Sequence, residues 1–353
     1  MRKAAHFFLG ANSCRGFSSL YDGLKDGQLD DLMILKGGPG CGKSTFMRQI
    51  AKRCEQAGEV VDYIHCSGDP QSLDGIIVPG RRIGIVDGTS PHVVEPTYAI
   101  VRERYVDFSR FYDLDRVKTQ KESAVLYYKQ YQECYRDTYR ILRAFNALET
   151  ERRKLLDAHT DTKQAARRLN DILKGVANNA ETGKTAEIFL GGLTHEGAVC
   201  RYDTADALCK QIYEIVDPYG MADVLLSDMA RAMEMTGEKV VICRDPLVPE
   251  RPAHLIMPER SVAIVTSNPL WHYPKKPTHR IRLDATAEKN LTRAERGKLH
   301  LLGRLQNSLC EEAILHLKQA KASHDLLEAV YHPYVDFTAV SELAEEEANR
   351  IIK

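Results

Sequence analysis

One stretch near the start of the chain decides the fold, and it reads Met33-Ile34-Leu35-Lys36-Gly37-Gly38-Pro39-Gly40-Cys41-Gly42-Lys43-Ser44-Thr45. A glycine, four further residues and then glycine, lysine and serine have the spacing of a phosphate-binding loop. Apolar residues predict a buried strand over 32–35 before the loop and an amphipathic helix over 44–54 after it. A strand, a glycine-rich turn and a helix N-terminus in this order favour the binding of an anionic phosphate.

The residues of this loop have expected roles in binding a nucleotide. Backbone N–H groups of the turn would surround the phosphates, and Lys43 would reach the β- and γ-phosphates. Ser44 would hold Mg²⁺ through its hydroxyl. The predicted nucleotide-binding residues are Gly37, Gly38, Pro39, Gly40, Cys41, Gly42, Lys43, Ser44 and Thr45. The expected cofactors are therefore ATP and Mg²⁺.

Acidic residues near strand ends supply further candidates. Strands are predicted over 60–64 and 83–86, and ligands of open α/β sheets gather at the carboxyl ends of strands. Asp87 follows four apolar residues, a pattern that places a carboxylate near Mg²⁺. Asp69 and Asp74 could orient a water or a phosphoacceptor hydroxyl, or they could form turns. The predicted catalytic residues are Lys43, Asp69, Asp74 and Asp87, and the predicted metal ligands are Ser44 and Asp87.

The chain also repeats itself, which indicates an internal duplication. Phe8-Leu9-Gly10 recurs as Phe189-Leu190-Gly191, and Gly16 recurs at the same spacing as Gly197. Further along the chain the spacing is two residues shorter. Glycines and predicted strands keep their order over the whole half, so we interpret the chain as two related halves.

The second copy lacks the residues that would bind phosphate. At the spacing of the first repeats, the loop positions Gly40, Gly42, Lys43 and Ser44 are replaced by Met221, Asp223, Val224 and Leu225. Thr266 stands where the first copy has Asp87. The sequence therefore predicts a degenerate second half, kept for structure or regulation, and one nucleotide site per chain.

Composition narrows the classes of function. The 353 residues include 49 basic and 49 acidic side chains, and this balance argues against a protein that works by electrostatic capture of nucleic acid or anionic membrane. No apolar run approaches the roughly 20 residues of a membrane span. The nine cysteines are scattered and form no Cys-x-x-Cys pair, so the sequence shows no structural zinc pattern. We expect a cytoplasmic protein with free thiols.

A long helical pattern follows each half. The first runs from 117 to about 174, and we expect an antiparallel hairpin there. Tyr127, Tyr131, Tyr135 and Tyr139 share one face, which either packs against another helix or forms a partner-binding face. The predicted division is a phosphate-loop domain over 1–112, a hairpin and linker over 113–180, a degenerate P-loop-like domain over 181–285 and a C-terminal helical segment over 286–353.

Several segments resemble a bacterial family of ATP-binding proteins that is built from two tandem P-loop-like halves and found mostly in Firmicutes. The segments are His6–Gly10, Lys36–Gly40, His65–Gly75 and Asp87–His92. The C-terminal signature of that family resembles His324–Glu328 followed by Tyr331, Pro333, Tyr334, Asp336 and Phe337. The resemblance covers nearly the whole chain and implies ATP binding, without specifying a substrate.

The expected fold is α/β, with two tandem P-loop NTPase-like three-layer domains, the second degenerate, and a helical appendage on each. Each half offers about four clear strands, fewer than the roughly five or six of a typical sheet. We therefore expect the halves to pack closely and to cover each other's sheet edges.

Three functions fit these patterns. The leading interpretation is an ATP-binding protein with Mg-dependent ATPase activity that acts as a nucleotide-dependent switch or scaffold. The alternatives are a small-molecule or nucleotide kinase and a nucleic-acid-linked ATPase. The last is disfavoured because no glutamate follows Asp87. A protein partner could bind the helical appendages, whereas nucleic acid and membrane are not expected partners.

Overall fold

Two six-stranded mixed sheets, two small antiparallel sheets (over 10–19 and 191–200) and their helices make up the described fold, which confirms the α/β class. The computed structural model describes residues 2–25, 27–157, 167, 185–283 and 291–353. Strands of the first half are β1 (His6–Phe7), β2 (Gly10–Ser13), β3 (Gly16–Ser19), β4 (Asp31–Lys36), β5 (Asp62–His65), β6 (Leu73–Val78), β7 (Ile83–Asp87) and β8 (Glu103–Asp107). Strands of the second half are β9 (Ala186–Ile188), β10 (Gly191–Thr194), β11 (Gly197–Cys200), β12 (Gln211–Val216), β13 (Val241–Arg244), β14 (Pro252–Met257), β15 (Val262–Ser267) and β16 (His279–Arg282).

Helices join and cover these strands. The described helices are α1 (Lys43–Gln56), α2 (Leu114–Lys118), α3 (Lys121–Asp157), α4 (Tyr202–Leu208), α5 (Ala222–Met235), α6 (Arg293–Tyr331) and α7 (Phe337–Ile352). None of them is both long and apolar enough to cross a membrane.

The two sheets have the same strand order and the same strand directions. The first sheet runs β1-β5-β6-β7-β4-β8, and the second runs β9-β13-β14-β15-β12-β16. In each sheet the third strand is antiparallel to both neighbours, while the other pairs are parallel. The sequence repeat therefore corresponds, strand for strand, to a repeat of topology.

Each sheet contains two strands more than the four that the sequence made clear. In the first half, the additional strands are β1 and β6. β1 has only two residues, which is too short for a recognisable alternation. β6 includes Asp74 and Gly75, two residue types that are depleted in strands, so this segment resembles a turn in sequence.

The two faces of the first sheet are covered differently. Side chains such as Met33 and Leu35 pack against α1 and α7. On the opposite face, Ile34 belongs to a buried cluster that also contains Leu190 and Val265 of the second half. The halves therefore share a core, whereas the sequence suggested three layers in each half.

Equivalent residues of the repeat meet at the centre of the molecule. The backbone N–H of Phe8 donates to the carbonyl of Phe189, and the N–H of Phe189 donates to the carbonyl of Phe8, both over 2.9 Å. Both phenylalanines are fully buried. This reciprocal pairing joins the two repeats through their backbones.

The two long helices α3 and α6 pack against each other in antiparallel directions. Tyr131 near the start of α3 contacts His324 near the end of α6, whereas Arg152 near the end of α3 bonds Gln306 of α6. Farther along the same face, the Tyr139 hydroxyl donates to Asn12 over 3.2 Å, and a Cβ added to Gly68 would lie 2.6 Å from the Tyr135 hydroxyl. The tyrosine face therefore packs partly against α6 and partly against the first half. The part of the predicted hairpin and linker beyond residue 157 lies outside the described residues, apart from residue 167.

Candidate functional site

The chain passes from β4 into α1 through the glycine-rich loop 37–42. Gly40 has a φ of 67° and Gly42 a φ of 86°, values that favour glycine because a Cβ would be strained there. Gly42 is the N-cap of α1 and offers no side-chain acceptor. The first N–H groups of α1 are therefore available to an external acceptor such as a phosphate.

Lys43 carries the positive charge of the loop. Its ammonium lies 3.5 Å from the Asp87 carboxylate and donates to the carbonyls of Gly37 and Gly38 over 3.1 and 3.0 Å. Burial acts to lower the pKa of Lys43, but the Asp87 carboxylate and the Cys41 sulfur outweigh it, so the pKa is raised. Lys43 is thus held as a cation at the start of α1.

Sheet pairing places Asp87 beside the loop. β7 runs parallel to β4, and Asp87 is paired with Leu35, two residues before Gly37. One carboxylate oxygen of Asp87 accepts hydrogen bonds from the N–H and the hydroxyl of Thr89, over 2.9 and 2.6 Å. The other oxygen faces Lys43. The side chain is therefore oriented with one oxygen directed toward the loop.

Ser44 connects the loop helix to β6. Its hydroxyl oxygen accepts a hydrogen bond from the N–H of Leu73 over 3.0 Å. Ser44 and Asp87 offer a hydroxyl and a carboxylate, and oxygen ligands of this kind suit Mg²⁺. These two residues fit the predicted metal ligands by their chemistry, and a bound Mg²⁺ would neutralise phosphate charge at this position.

Asp69 has local partners of its own. Its carboxylate accepts from the N–H of Gln71 and from the hydroxyl of Ser72, each over 3.1 Å, and lies 3.6 Å from the Lys321 ammonium. Hydrogen bonds to a residue two positions ahead are typical of turns that aspartate forms. This geometry favours the turn-forming alternative for Asp69.

Asp74 is buried and faces a histidine. Its carboxylate lies 3.2 Å from the His92 imidazole, and burial raises the pKa of Asp74 although His92 opposes the shift. The structure therefore brings Lys43 and Asp87 together, with Ser44 next to Lys43 at the start of α1, whereas Asp74 belongs to a neighbouring cluster.

The C-terminal helices form a wall against the loop. A Cβ added to Gly40 would lie 3.2 Å from Glu328 of α6, and one added to Gly42 would lie 3.5 Å from Phe337 of α7. The Tyr112 hydroxyl donates to the carbonyl of Pro39 over 2.9 Å. Sequence reasoning missed these contacts, although the segment around Glu328 and Phe337 had been noted for its family resemblance.

The loop of the second half is closed by a carboxylate of the chain itself. The buried side chain of Asp217 accepts from the N–H groups of Met221 and Ala222 over 2.9 and 2.7 Å. These are the N–H groups at the start of α5, the positions at which a phosphate would bind. The Asp217 side chain thus occupies N–H groups whose counterparts at the start of α1 are available in the first half.

The observed helix starts also change the alignment of the two loops. α5 begins at Ala222 and α1 begins at Lys43, so Ala222 corresponds to Lys43. The constant sequence spacing instead pairs Lys43 with Val224. The two alignments differ because the segment from Phe189 to α5 is two residues shorter than the segment from Phe8 to α1. Neither alignment places a cation in the second loop.

Comparisons of the chain with protein-family models, with curated proteins and with solved structures give no match. The resemblance to a family of ATP-binding proteins therefore stays an expectation from sequence. Support for a function therefore comes from the geometry of loop 37–42.

Proposed function

We propose that this protein binds ATP with Mg²⁺ at the loop of its first half, hydrolyses it, and acts as a nucleotide-dependent switch or scaffold with one nucleotide site per chain. A P-loop-like character of both halves, degenerate in the second, is part of this proposal. Lys43 would contact the β- and γ-phosphates, the loop N–H groups would bind phosphate oxygens, and Ser44 with Asp87 would hold the metal.

The contrast between the two loops is the observation that carries the proposal. The first loop combines available N–H groups with a buried, charged Lys43 and an oriented carboxylate at Asp87. The second loop has no lysine, and Asp217 occupies its N–H groups. The two loops lie at equivalent positions in sheets that have the same strand order. The difference between the loops therefore concerns anion binding and not the arrangement of the strands.

A switch is supported by what touches the loop. Glu328 and Phe337 belong to α6 and α7, so a loop that adjusts to a γ-phosphate would press on both helices. α6 packs along α3, and α7 packs against α1. We infer that nucleotide binding is transmitted to the long helices, whose outward faces would then present a scaffold surface to a protein partner. Hydrogen exchange over 324–340 should slow when Mg-ATP is added, and unchanged exchange there would remove the switch.

Product analysis with ATP labelled at the γ-phosphate tests the reaction. The proposal predicts slow, Mg-dependent release of free phosphate by the protein alone. A phosphorylated metabolite formed from a cell extract, with no free phosphate by the protein alone, would instead establish a kinase. Turnover that requires added DNA or RNA would establish a nucleic-acid-linked ATPase.

The cavity in the second half does not support the kinase alternative. A cavity of about 390 Å³ lies in the second half, bordered by Asp217, Arg251 and Trp271 together with side chains of α3 and α6. Its lining includes no residue of the loop 37–42 and neither Lys43 nor Asp87. It therefore does not place a phosphoacceptor beside the proposed γ-phosphate position.

A further inference from the structure

A second group of chemically reactive side chains lies beside the loop, and the proposed ATPase does not use it. Cys66, Asp74 and His92 place a sulfur, a carboxylate oxygen and an imidazole nitrogen within 4.8 Å of one another. Asp74 is 5% and His92 is 6% exposed. A half-buried thiol and a buried carboxylate and imidazole in mutual reach are the ligand types of a transition-metal site.

Three neighbouring strands bring these residues to one edge of the sheet. Cys66 directly follows β5, Asp74 is the second residue of the antiparallel β6, and His92 comes five residues after β7. The N–H of Cys66 donates to the carbonyl of Ser72 over 3.1 Å, and the N–H of His92 donates to the carbonyl of Thr89 over 2.9 Å. The backbone around two of the three side chains is therefore fixed, as a preorganised site requires.

The distances suit a metal of the size of zinc. His92 Nε2 lies 3.2 Å from Asp74 Oδ2. Zinc binds nitrogen and oxygen ligands at about 2.0–2.2 Å, so two ligands of a tetrahedral ion lie about 3.3 Å apart. A sulfur ligand at about 2.3 Å would lie about 3.6 Å from each of them, and the three ligand atoms now lie within 4.8 Å of one another. The observed pair thus already has the separation of two bound ligands.

One polar atom of the cluster is left unsatisfied. His92 Nδ1 is buried and has no hydrogen-bond partner among the described residues. A divalent cation would stabilise a Cys66 thiolate and the Asp74 carboxylate together. The Tyr21 hydroxyl, 3.4 Å from Asp74 Oδ2, would steady that ligand.

We propose that Cys66, Asp74 and His92 bind a divalent transition metal of the zinc type, with a fourth coordination position open to water or substrate. Binding converts the Cys66 thiol to a thiolate that donates a lone pair to the metal, and the thiol proton leaves to solvent. His92 binds through its neutral Nε2 lone pair, and Asp74 binds as a carboxylate. Three protein ligands and one open position are the arrangement of catalytic zinc sites.

The metal site adjoins the nucleotide site and differs from it in ligand chemistry. Leu73, the residue before Asp74, donates its N–H to the hydroxyl of Ser44. Ser44 and Asp87 offer only oxygen, which suits Mg²⁺, whereas thiolate and imidazole select a softer ion. Sequence reasoning found no zinc pattern because the three ligands are separated along the chain and follow no Cys-x-x-Cys spacing.

Cobalt(II) is the probe that tests this site, because its thiolate complexes absorb in the near ultraviolet and its tetrahedral complexes absorb in the visible. We expect one equivalent of cobalt per chain to give both absorptions in full-length protein stripped with a chelator, with no nucleotide present. Cys66→Ser should abolish the near-ultraviolet band, while Cys41→Ser in the phosphate loop and Cys134→Ser on α3 should keep it. Lys43→Ala should also keep the near-ultraviolet band. The proposal of a metal site and the proposal of a nucleotide site are therefore tested separately.

A metal titration keeps the proposal open to refutation if Cys66→Ser does not fold. Zinc added to wild-type protein in weak buffer should release at least one proton per metal bound, and His92→Asn should lower the zinc affinity by at least about tenfold. Wild-type protein that shows no thiolate-to-cobalt absorption, or a band that persists in Cys66→Ser, would overturn the proposal. Zinc binding without proton release would overturn it as well.

Discussion

The Lys43 ammonium and the Asp87 carboxylate lie 3.5 Å apart, and both side chains are largely buried. Lys43 begins α1 and Asp87 ends β7, so the pair closes the space between the loop and the neighbouring strand. Removing one member of a buried pair leaves an uncompensated charge, which is costly. A bound phosphate with Mg²⁺ would satisfy both residues at once. Lys43 would contact the phosphate oxygens, and Asp87 would contact the metal ion.

Asp87→Asn should remove the magnesium dependence of ATP binding. The substitution keeps the shape of the side chain and its contact with Thr89, but it removes the charge that offsets the divalent ion. Affinity in the presence of Mg²⁺ should fall by about 2 kcal/mol, about thirtyfold, while affinity in a chelator should not fall. Calorimetry under both conditions measures this. Asp107→Asn, at the end of β8 on the other side of β4, is the control and should bind as the wild type does.

Gly42→Ala should separate backbone strain from nucleotide binding. Gly42 and Gly58 have nearly the same positive φ, 86° and 87°, and alanine at either position should lower the free energy of unfolding by about 1–2 kcal/mol. Only Gly42 lies in the glycine-rich loop 37–42, so we expect only Gly42→Ala to weaken ATP binding, by about tenfold or more. Equal ATP affinities of the two variants would show that the loop does not bind phosphate.

Asp217→Ala should destabilise the protein without affecting its nucleotide site. The substitution leaves the N–H groups of Met221 and Ala222 without their acceptor and should lower the free energy of unfolding by about 1–3 kcal/mol. The stoichiometry of ATP should stay at one per chain, because no lysine replaces Lys43 in that loop. Asp228→Ala, on an exposed face of α5, serves as the control in urea unfolding. A change in ATP affinity with unchanged stability would contradict this assignment.

His254 should make the second half sensitive to acid. Burial lowers the pKa of His254 to about 3, and its Nδ1 accepts the N–H of Thr266. The unfolded value is about 6.5, so the stabilisation from neutral His254 is complete above that pH and is lost as the pH falls through 6.5 toward 3. Relative to His254→Asn, the wild type should lose about 2 kcal/mol of unfolding free energy between about pH 6.5 and about pH 5. A pH-independent difference between the two would refute the burial of a neutral imidazole.

The local part of the site could be predicted from sequence, and the long-range part could not. Lys43 and Ser44 follow from the spacing of one short segment, because a strand, a turn and a helix N-terminus specify their positions. The contact of Glu328 with the loop joins residues far apart in the chain, and no local pattern encodes it. The same holds for Cys66 and His92. They follow β5 and β7, and these two strands lie close to each other only because the antiparallel β6 pairs with both.

The second half shows the same limit of prediction from sequence. Its loss of lysine and glycine was visible in sequence, and this supports the prediction of one site. The role of Asp217 was not visible, because an aspartate after a strand is equally compatible with a metal ligand, a turn or a helix cap. Only the hydrogen bonds to Met221 and Ala222 distinguish these alternatives.

Calorimetric titration of the wild type and of Lys43→Ala with Mg-ATP tests the central claim most directly. The account predicts one ATP per wild-type chain and an affinity at least about a hundredfold lower in Lys43→Ala, since a buried charged contact with phosphate is lost. Lys52→Ala, on an exposed position of the same helix α1, should bind as the wild type does, and all three proteins should give the same circular dichroism. A stoichiometry near two, no binding by the wild type, or unchanged affinity in a folded Lys43→Ala would contradict the account.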